Sequence, residues 1–216
     1  MSAARSITIL VHGVWMHGLA MELQRLYLAQ SGFDAHCYSY HSVGPTLTDN
    51  AQQLAAHARE QQAGEIHWVC HSLGGLVALR MLECAPDLPP GRLVLMGTPF
   101  QGSYAARQLA SHQIGEMALG KSLAEWFARD KPAGFPGREI GVIAGSNQFG
   151  LAVLVAPDLP EPNDGAVAVA ETVIPGERDR IILPVSHSGM LVSRAVATQA
   201  AAFLRDGRFD HAAAQN

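Results

Sequence analysis

One junction limits what this chain can fold into. Glu65-Ile66-His67-Trp68-Val69 reads as a short buried strand, and Leu76-Val77-Ala78-Leu79-Arg80-Met81-Leu82-Glu83-Cys84 reads as a helix. Between them stands Cys70-His71-Ser72-Leu73-Gly74-Gly75. A strand that turns at once into a helix holds the residue at the tip in a strained backbone conformation and presents its side chain above the sheet. That residue is Ser72. The turn presses together the positions two before and two after the serine, so both must be small. Gly74 satisfies this, and position 70 holds a cysteine, itself small, where the G-x-S-x-G pattern has glycine. The Leu73 N–H opens the helix without an intrahelical acceptor, at the positive end of the helix dipole. Ser72 is therefore a candidate nucleophile, and its own turn carries half of an oxyanion-binding site.

The flanking sequence supplies the sheet this turn needs. Ser6-Ile7-Thr8-Ile9-Leu10-Val11 is a continuous β-branched run ended by His12-Gly13, the pattern of a fully buried parallel strand. A helix is predicted from about Leu19 to Gln30, a strand over Phe33–Tyr40, and a helix that starts at Thr46-Leu47-Thr48-Asp49 and runs to Ala63. Beyond the junction, strands are predicted at Arg92–Gly97, Arg138–Gly145 and Ile181–Val185, and a last helix at Gly189–Leu204. Ser103–Lys131 is irregular, with Leu119, Leu123, Trp126 and Phe127 at helical spacing. Alternating strands and helices imply an α/β fold: a mostly parallel sheet covered on both faces. With 216 residues, 48% of them hydrophobic, one domain with a substantial core is expected. Its core spans about 6–205, and the tail from Asp206 is expected to fray.

Several function classes are disfavoured. A net charge of -4 and the absence of a basic run give no electrostatic case for nucleic acid. Three scattered cysteines make neither a disulfide framework nor a zinc site, and ten histidines fall into no H-E-x-x-H or Cys/His cluster. The glycines near Ser72 lack a phosphate-loop lysine. No cofactor is expected. No segment reaches the length of a membrane span, so stable membrane insertion is not expected, and Met1–Arg5 lacks the apolar region of a secretory signal. A cytoplasmic location is the expectation, unless a signal has been removed.

A serine hydroxyl needs a neighbouring base, and the base needs an orienting group. Sites in parallel sheets form at the carboxyl ends of the strands. That rule puts His12-Gly13, Ser72, Thr98-Pro99, the loop containing Asp164, and His187 on one rim. His187, in Val185-Ser186-His187-Ser188, follows the last strand and is the candidate base. Asp164, in Asn163-Asp164-Gly165, is the candidate orienting acid; Asp158 and Asp179 stand as alternatives, the criterion being reach to His187 Nδ1. Asn-Asp-Gly is also a turn signal. The N–H of Val14, after Gly13, is the candidate second oxyanion donor, beside Leu73. His12 is expected to brace that loop. Trp15, Met16, Phe100 and Trp126 are the candidates for a substrate pocket. Met117, Leu119, Leu123, Trp126 and Phe127 are read either as a packed helix or as an acyl-chain groove, with packing favoured for Leu119 and Leu123. Cys70 is expected to point back into the sheet.

Together Val11-His12-Gly13-Val14, Cys70-His71-Ser72-Leu73-Gly74-Gly75, Met96-Gly97-Thr98-Pro99-Phe100-Gln101-Gly102-Ser103, Asn163-Asp164-Gly165-Ala166-Val167 and Ser186-His187 resemble the successive motifs of compact bacterial lipases and esterases of the α/β-hydrolase superfamily. These are related to the lipase-like domain of glycolipid-anchor deacylases. The resemblance runs from about Ile7 to Leu204. It implies a short or absent lid, Ser72 as nucleophile, Asp164 as acid, His187 as base, Val14 and Leu73 as oxyanion donors, and a small-molecule or lipid ester as substrate. A thioesterase or amidase on the same residues, and a non-catalytic binding protein of this fold, are the alternatives. The oligomeric state is left open.

Overall fold

The structure is a computed structural model that describes residues 5–110, 113–149 and 156–213, with the backbone alone for 113–119. Six strands, β1 (Ser6–Val11), β2 (Ala35–Tyr38), β3 (Glu65–His71), β4 (Leu93–Met96), β5 (Ile140–Gly145) and β6 (Asp179–Leu183), form one sheet in the order β2-β1-β3-β4-β5-β6. Every ladder is parallel: Thr8 faces Ala35, Leu10 faces Val69, Cys70 faces Leu95, Leu95 faces Val142 and Ile143 faces Ile181. The chain moves one way from β1 to β2 and then back past β1 to β3. In such sheets the crevice opens where the order reverses, at the carboxyl ends of β1 and β3. Val11 and His71 end those two strands.

Alternation along the strands sorts the core into two layers. Ile7, Ile9, Val11, Ile66, Trp68, Cys70, Leu93 and Leu95 lie on one face. There they meet Leu47 and Leu54 of helix α2 (Leu47–Glu60), Leu76 and Leu79 of α3 (Leu73–Cys84), and Trp126 of α5 (Gln113–Ala128). Leu10, Val69, Val94 and Met96 face the other way, onto Leu28 of α1 (Glu22–Gln30) and Phe203 and Leu204 of α6 (Arg194–Asp206). The helix start at Thr46 is a capping box: Thr46 Oγ1 accepts from Asp49 N–H, and the Asp49 carboxylate accepts from Thr46 N–H, both at 3.1 Å. Reciprocal bonds of this kind satisfy two orphan donors of the first turn.

Three expectations are corrected. The strand runs two residues past Val69 to His71, and α3 begins at Leu73, so Ser72 alone makes the turn. Close backbone approach is the reason: a Cβ on Gly74 would lie 2.4 Å from the His12 carbonyl oxygen, and one on Gly75 2.0 Å from Thr98 Oγ1. Second, Tyr104–Ala110 is a helix, α4, and α5 is broken at Gly120 (φ 78°), where an added Cβ would meet the Val43 carbonyl at 2.5 Å. The readings for the side chains of Met117 and Leu119 fall outside the described residues. Third, the tail does not fray directly after Asp206. Phe209 is buried against Phe203 at 5.0 Å, its N–H donates to Asp179 Oδ2 at 2.7 Å, and His211 pairs with Asp179 at 3.0 Å. Among the described residues no helix is long and apolar enough to cross a membrane.

Candidate active site

Ser72 stands between β3 and α3 with φ 53° and ψ −124°, a conformation that costs on the order of 1–3 kcal/mol and persists only where the surroundings enforce it. They do so on both sides. Ser72 N–H donates to the Met96 carbonyl at 2.9 Å. The Ser72 carbonyl accepts from Gly75 N–H at 3.0 Å and from Thr98 Oγ1 at 3.1 Å. Cys70 is fully buried on the α2–α3 face, so its side chain points away from the turn. The tight contacts fall on Gly74 and Gly75, which is why a cysteine fits at position 70. Burial pushes its thiol well up from the usual range.

The loop after β1 is held from behind by His12. Its Nδ1 donates to the Gly13 carbonyl at 2.8 Å, and its Nε2 accepts from Tyr40 N–H at 3.3 Å. The ring stacks on Tyr40 at 4.5 Å, and Tyr40 Oη donates to the His12 carbonyl at 3.0 Å. Burial lowers the His12 pKa. A neutral ring with its proton on Nδ1 satisfies every partner. His12 thus braces the loop, as its position suggested.

His187 leaves the end of β6 by a short loop. Its Nδ1 lies 2.7 Å from Asp164 Oδ2, and its N–H donates to the Asp164 carbonyl at 2.8 Å. A carboxylate only accepts, so Nδ1 carries the proton and Nε2 is left as a base. Asp164 is 1% exposed, and Oδ1 accepts from Ala166 N–H at 2.9 Å and Val167 N–H at 2.7 Å. The turn read from Asn-Asp-Gly is therefore also the device that aims the carboxylate. The alternatives do not meet the criterion: Asp158 is exposed, and Asp179 opens β6 at its amino-terminal end, the rim opposite His187, where it pairs with His211.

Ser72 and His187 line one cavity of about 460 Å³, together with Val14, Trp15 and Met16 from the β1 loop. Its further wall is Pro99, Ser103, Ala105, Ala106 and Leu109 around α4, Leu123 of α5, and Phe149, Gly165, Ala166, Val167 and Ser188. Among the described residues, no lysine, arginine, aspartate or glutamate lines it. Phe100 and Trp126 are corrected as pocket residues. Both are fully buried in the core, with rings 5.5 Å apart edge to face, and Trp126 Nε1 donates to the Phe100 carbonyl at 2.9 Å. Rings of this size gain about 1.5–3 kcal/mol by full burial, and the indole N–H finds its partner there. Leu123 packs in the core, as read, and also forms part of the cavity wall. The contributions of α4 and Phe149 carried no readable signal, because Ala-rich turns and a lone phenylalanine in a loop have no periodicity. Two buried polar residues stand beside Ser72: Thr98, which the rim rule places there, and His71, to which the sequence assigns no role in the site. Among the described residues no group of three His, Cys, Asp or Glu side chains is placed to hold a metal ion.

A parallel sheet with a serine at a strained strand–helix turn, and an Asp-paired histidine opening into the same cavity, defines an α/β protein of hydrolase type. The chain belongs to the alpha/beta hydrolase family, whose model matches residues 8–214. Among solved structures it is similar to the mature form of the Bacillus licheniformis lipase BlEst2, with a TM-score of 0.75 at 20% identity over 94% of this chain and 92% of that one. It is also similar to the phospholipase PlaB of Legionella pneumophila (TM-score 0.69, 19% identity, 92% of this chain and 55% of that one). A third is the carboxylesterase CesB of Bacillus subtilis (TM-score 0.58, 14% identity, 96% and 85%). At these identities the likeness is one of fold. No curated protein matches the chain.

Proposed function

We propose that this protein hydrolyses carboxylic esters through Ser72, His187 and Asp164, by way of an acyl-enzyme. The observation that carries the reading is the cavity into which both Ser72 and the Asp164-paired His187 open. His187 Nε2 takes the Ser72 proton as Oγ attacks the ester carbonyl. The negative charge that develops on the carbonyl oxygen is met by the Val14 and Leu73 N–H groups; one such donor is worth about 3–4 kcal/mol in the transition state. The tetrahedral adduct collapses, the alcohol leaves with the proton from His187, and water releases the acid by the same steps in reverse order. Asp164 holds the Nδ1 proton and stabilises the imidazolium formed in each step. The uncharged, largely apolar wall favours a neutral acyl group, with Trp15, Met16, Leu123 and Phe149 against it. A small-molecule or lipid ester fits this reading.

The test is Ser72→Ala measured with p-nitrophenyl esters of increasing acyl length, alongside labelling by a serine-directed fluorophosphonate. Loss of turnover and of labelling, with an unchanged circular dichroism spectrum, is the expected result. Undiminished turnover in the variant would overturn the assignment.

A further inference from the structure

We infer that His71 is the positioning residue for the base: its Nε2–H holds the main-chain carbonyl of His187 and so ties the base loop to the strand that carries Ser72. The inference rests on the proposed roles of Ser72, Asp164 and His187. His71 is fully buried, and it sits one residue before Ser72, on the opposite face of β3 from Cys70. Its Nε2 lies 3.0 Å from the His187 carbonyl oxygen. A carbonyl only accepts, so Nε2 carries the proton. The two imidazoles stand 4.6 Å apart at 48°. Burial pushes the His71 pKa down to about 3, so the ring stays neutral beside the imidazolium that His187 becomes in each turnover.

What the bond does follows from where the other anchors go. His187 N–H and Nδ1 both bind Asp164. The rest of the loop is tied to itself, through Met190 N–H to the Ser186 carbonyl, to the end of β5, through Asn147 N–H to the Val185 carbonyl, and to α1, through Gln24 Nε2 to the Met190 carbonyl at 2.7 Å. None of these reaches the strand that carries Ser72. The hydrogen bond from His71 instead starts on the residue adjoining Ser72. It is thus the bond that sets the distance between base and nucleophile, a quantity in which an error of about 1 Å can cost on the order of 100-fold in rate. His71 does not line the cavity and does not touch substrate.

His71 also separates stability from activity. Its Nδ1 is buried with no partner among the described residues and faces Gly13, where an added Cβ would lie only 3.1 Å away. An unpaired buried acceptor is a cost in stability. An apolar side chain of similar size removes that cost along with the bond to His187, so folding and turnover should respond differently.

The experiment compares wild type, His71→Leu and His71→Gln for kcat and KM on a p-nitrophenyl ester, for fluorophosphonate labelling rate, and for thermal stability. Leucine deletes the donor, whereas the glutamine amide can restore one near the Nε2 position. The expected result is a kcat and labelling rate about 10- to 100-fold lower in His71→Leu, with KM within about twofold, similar stability, and substantial recovery in His71→Gln. Wild-type kcat in His71→Leu, or equal losses in both variants, would overturn the role. Failure of wild type to label would instead overturn the Ser72 reading beneath it. Should His71→Leu not fold, the imidazole 15N–1H spectrum of wild type decides. A neutral His71 protonated on Nε2 at pH 7 supports the bond, and a proton on Nδ1 or on both nitrogens overturns it.

Discussion

Replacing Asp164 by asparagine tests the proposed chemistry with the least change in shape. In the native protein both carboxylate oxygens are committed, Oδ1 to the N–H groups of Ala166 and Val167, and Oδ2 to His187 Nδ1. Two backbone donors require an acceptor, so the asparagine oxygen takes the Oδ1 place and its NH2 faces His187. A donor there forces Nδ1 to accept, and the imidazole proton moves to Nε2, the atom that must receive the Ser72 proton. A base held in the wrong tautomer loses about 10⁴ in kcat. That corresponds to about 5.5 kcal/mol of transition-state stabilisation. KM should change by no more than a few-fold, because Asp164 does not line the cavity. Three hydrogen bonds to a charge become neutral ones, which should cost about 2–3 kcal/mol of folding stability. The assay is steady-state hydrolysis of a p-nitrophenyl ester, with urea denaturation to verify the fold. Asp158→Asn and Asp179→Asn serve as controls: the first should be silent, and the second should lose stability through Phe209 and His211 with kcat unchanged. An Asp164→Asn protein that retains kcat within tenfold of wild type would refute the reasoning.

Three further outcomes are expected. The Ser72 carbonyl and the Leu73 N–H belong to one rigid peptide plane, so the Thr98 hydroxyl on that carbonyl also aims the proposed oxyanion donor. Thr98→Val should lower kcat about tenfold at constant KM, a fraction of the 10²–10³ for losing a whole donor, and Thr98→Ser should restore it. Gly97 has φ +59°, and an added Cβ would lie 2.9 Å from His187 Nδ1 and 3.0 Å from Asp164 Oδ2. Gly97→Ala should therefore cost both about 1 kcal/mol or more of stability and at least about tenfold in kcat, whereas Gly32→Ala, also at positive φ but with open space around it, should affect stability alone. The pH dependence of folding follows from His71, whose pKa falls from 6.5 to about 3 on burial. The unfolded chain binds this proton below pH 6.5 and the folded protein does not, so stability is complete above 6.5 and is lost as pH falls toward 3. Between pH 6.5 and 4.5 this amounts to about 2–3 kcal/mol, measurable by urea denaturation; His12, lowered in the same direction, adds to it, and His71→Gln should flatten the acid limb.

The parts of this molecule that are periodic or conformationally special were legible in the sequence. Buried parallel strands are continuous apolar runs, and Ser72 between a strand and a glycine pair signals a turn, so the sheet and its carboxyl rim could be inferred before any coordinates. Side-chain direction was not legible. Phe100 and Trp126 stand in or near motifs of the site, yet they turn inward, because an aromatic ring gains more in the core than at a cavity wall. Leu123, one turn before Trp126, packs in the same core layer and also reaches the cavity wall. The roles of His71 and Thr98 were hidden for another reason. Their partners are backbone carbonyls, and a backbone carbonyl leaves no trace in residue identity.

The helix that follows Ser72 ends on Cys84, and that end has a practical use. Burial keeps the Cys70 thiol protonated and pushes that of Cys37 up to about 12, whereas Cys84 is exposed. A maleimide at neutral pH should therefore attach at Cys84 in preference to the other two. Twelve helical residues at about 1.5 Å each put such a label about 18 Å from the elbow, on a rigid rod anchored in the core. Paired with a fluorescent fluorophosphonate on Ser72, it would form a donor–acceptor pair of fixed spacing within the native protein, with no engineered residue needed, because both labels sit at the ends of one helix.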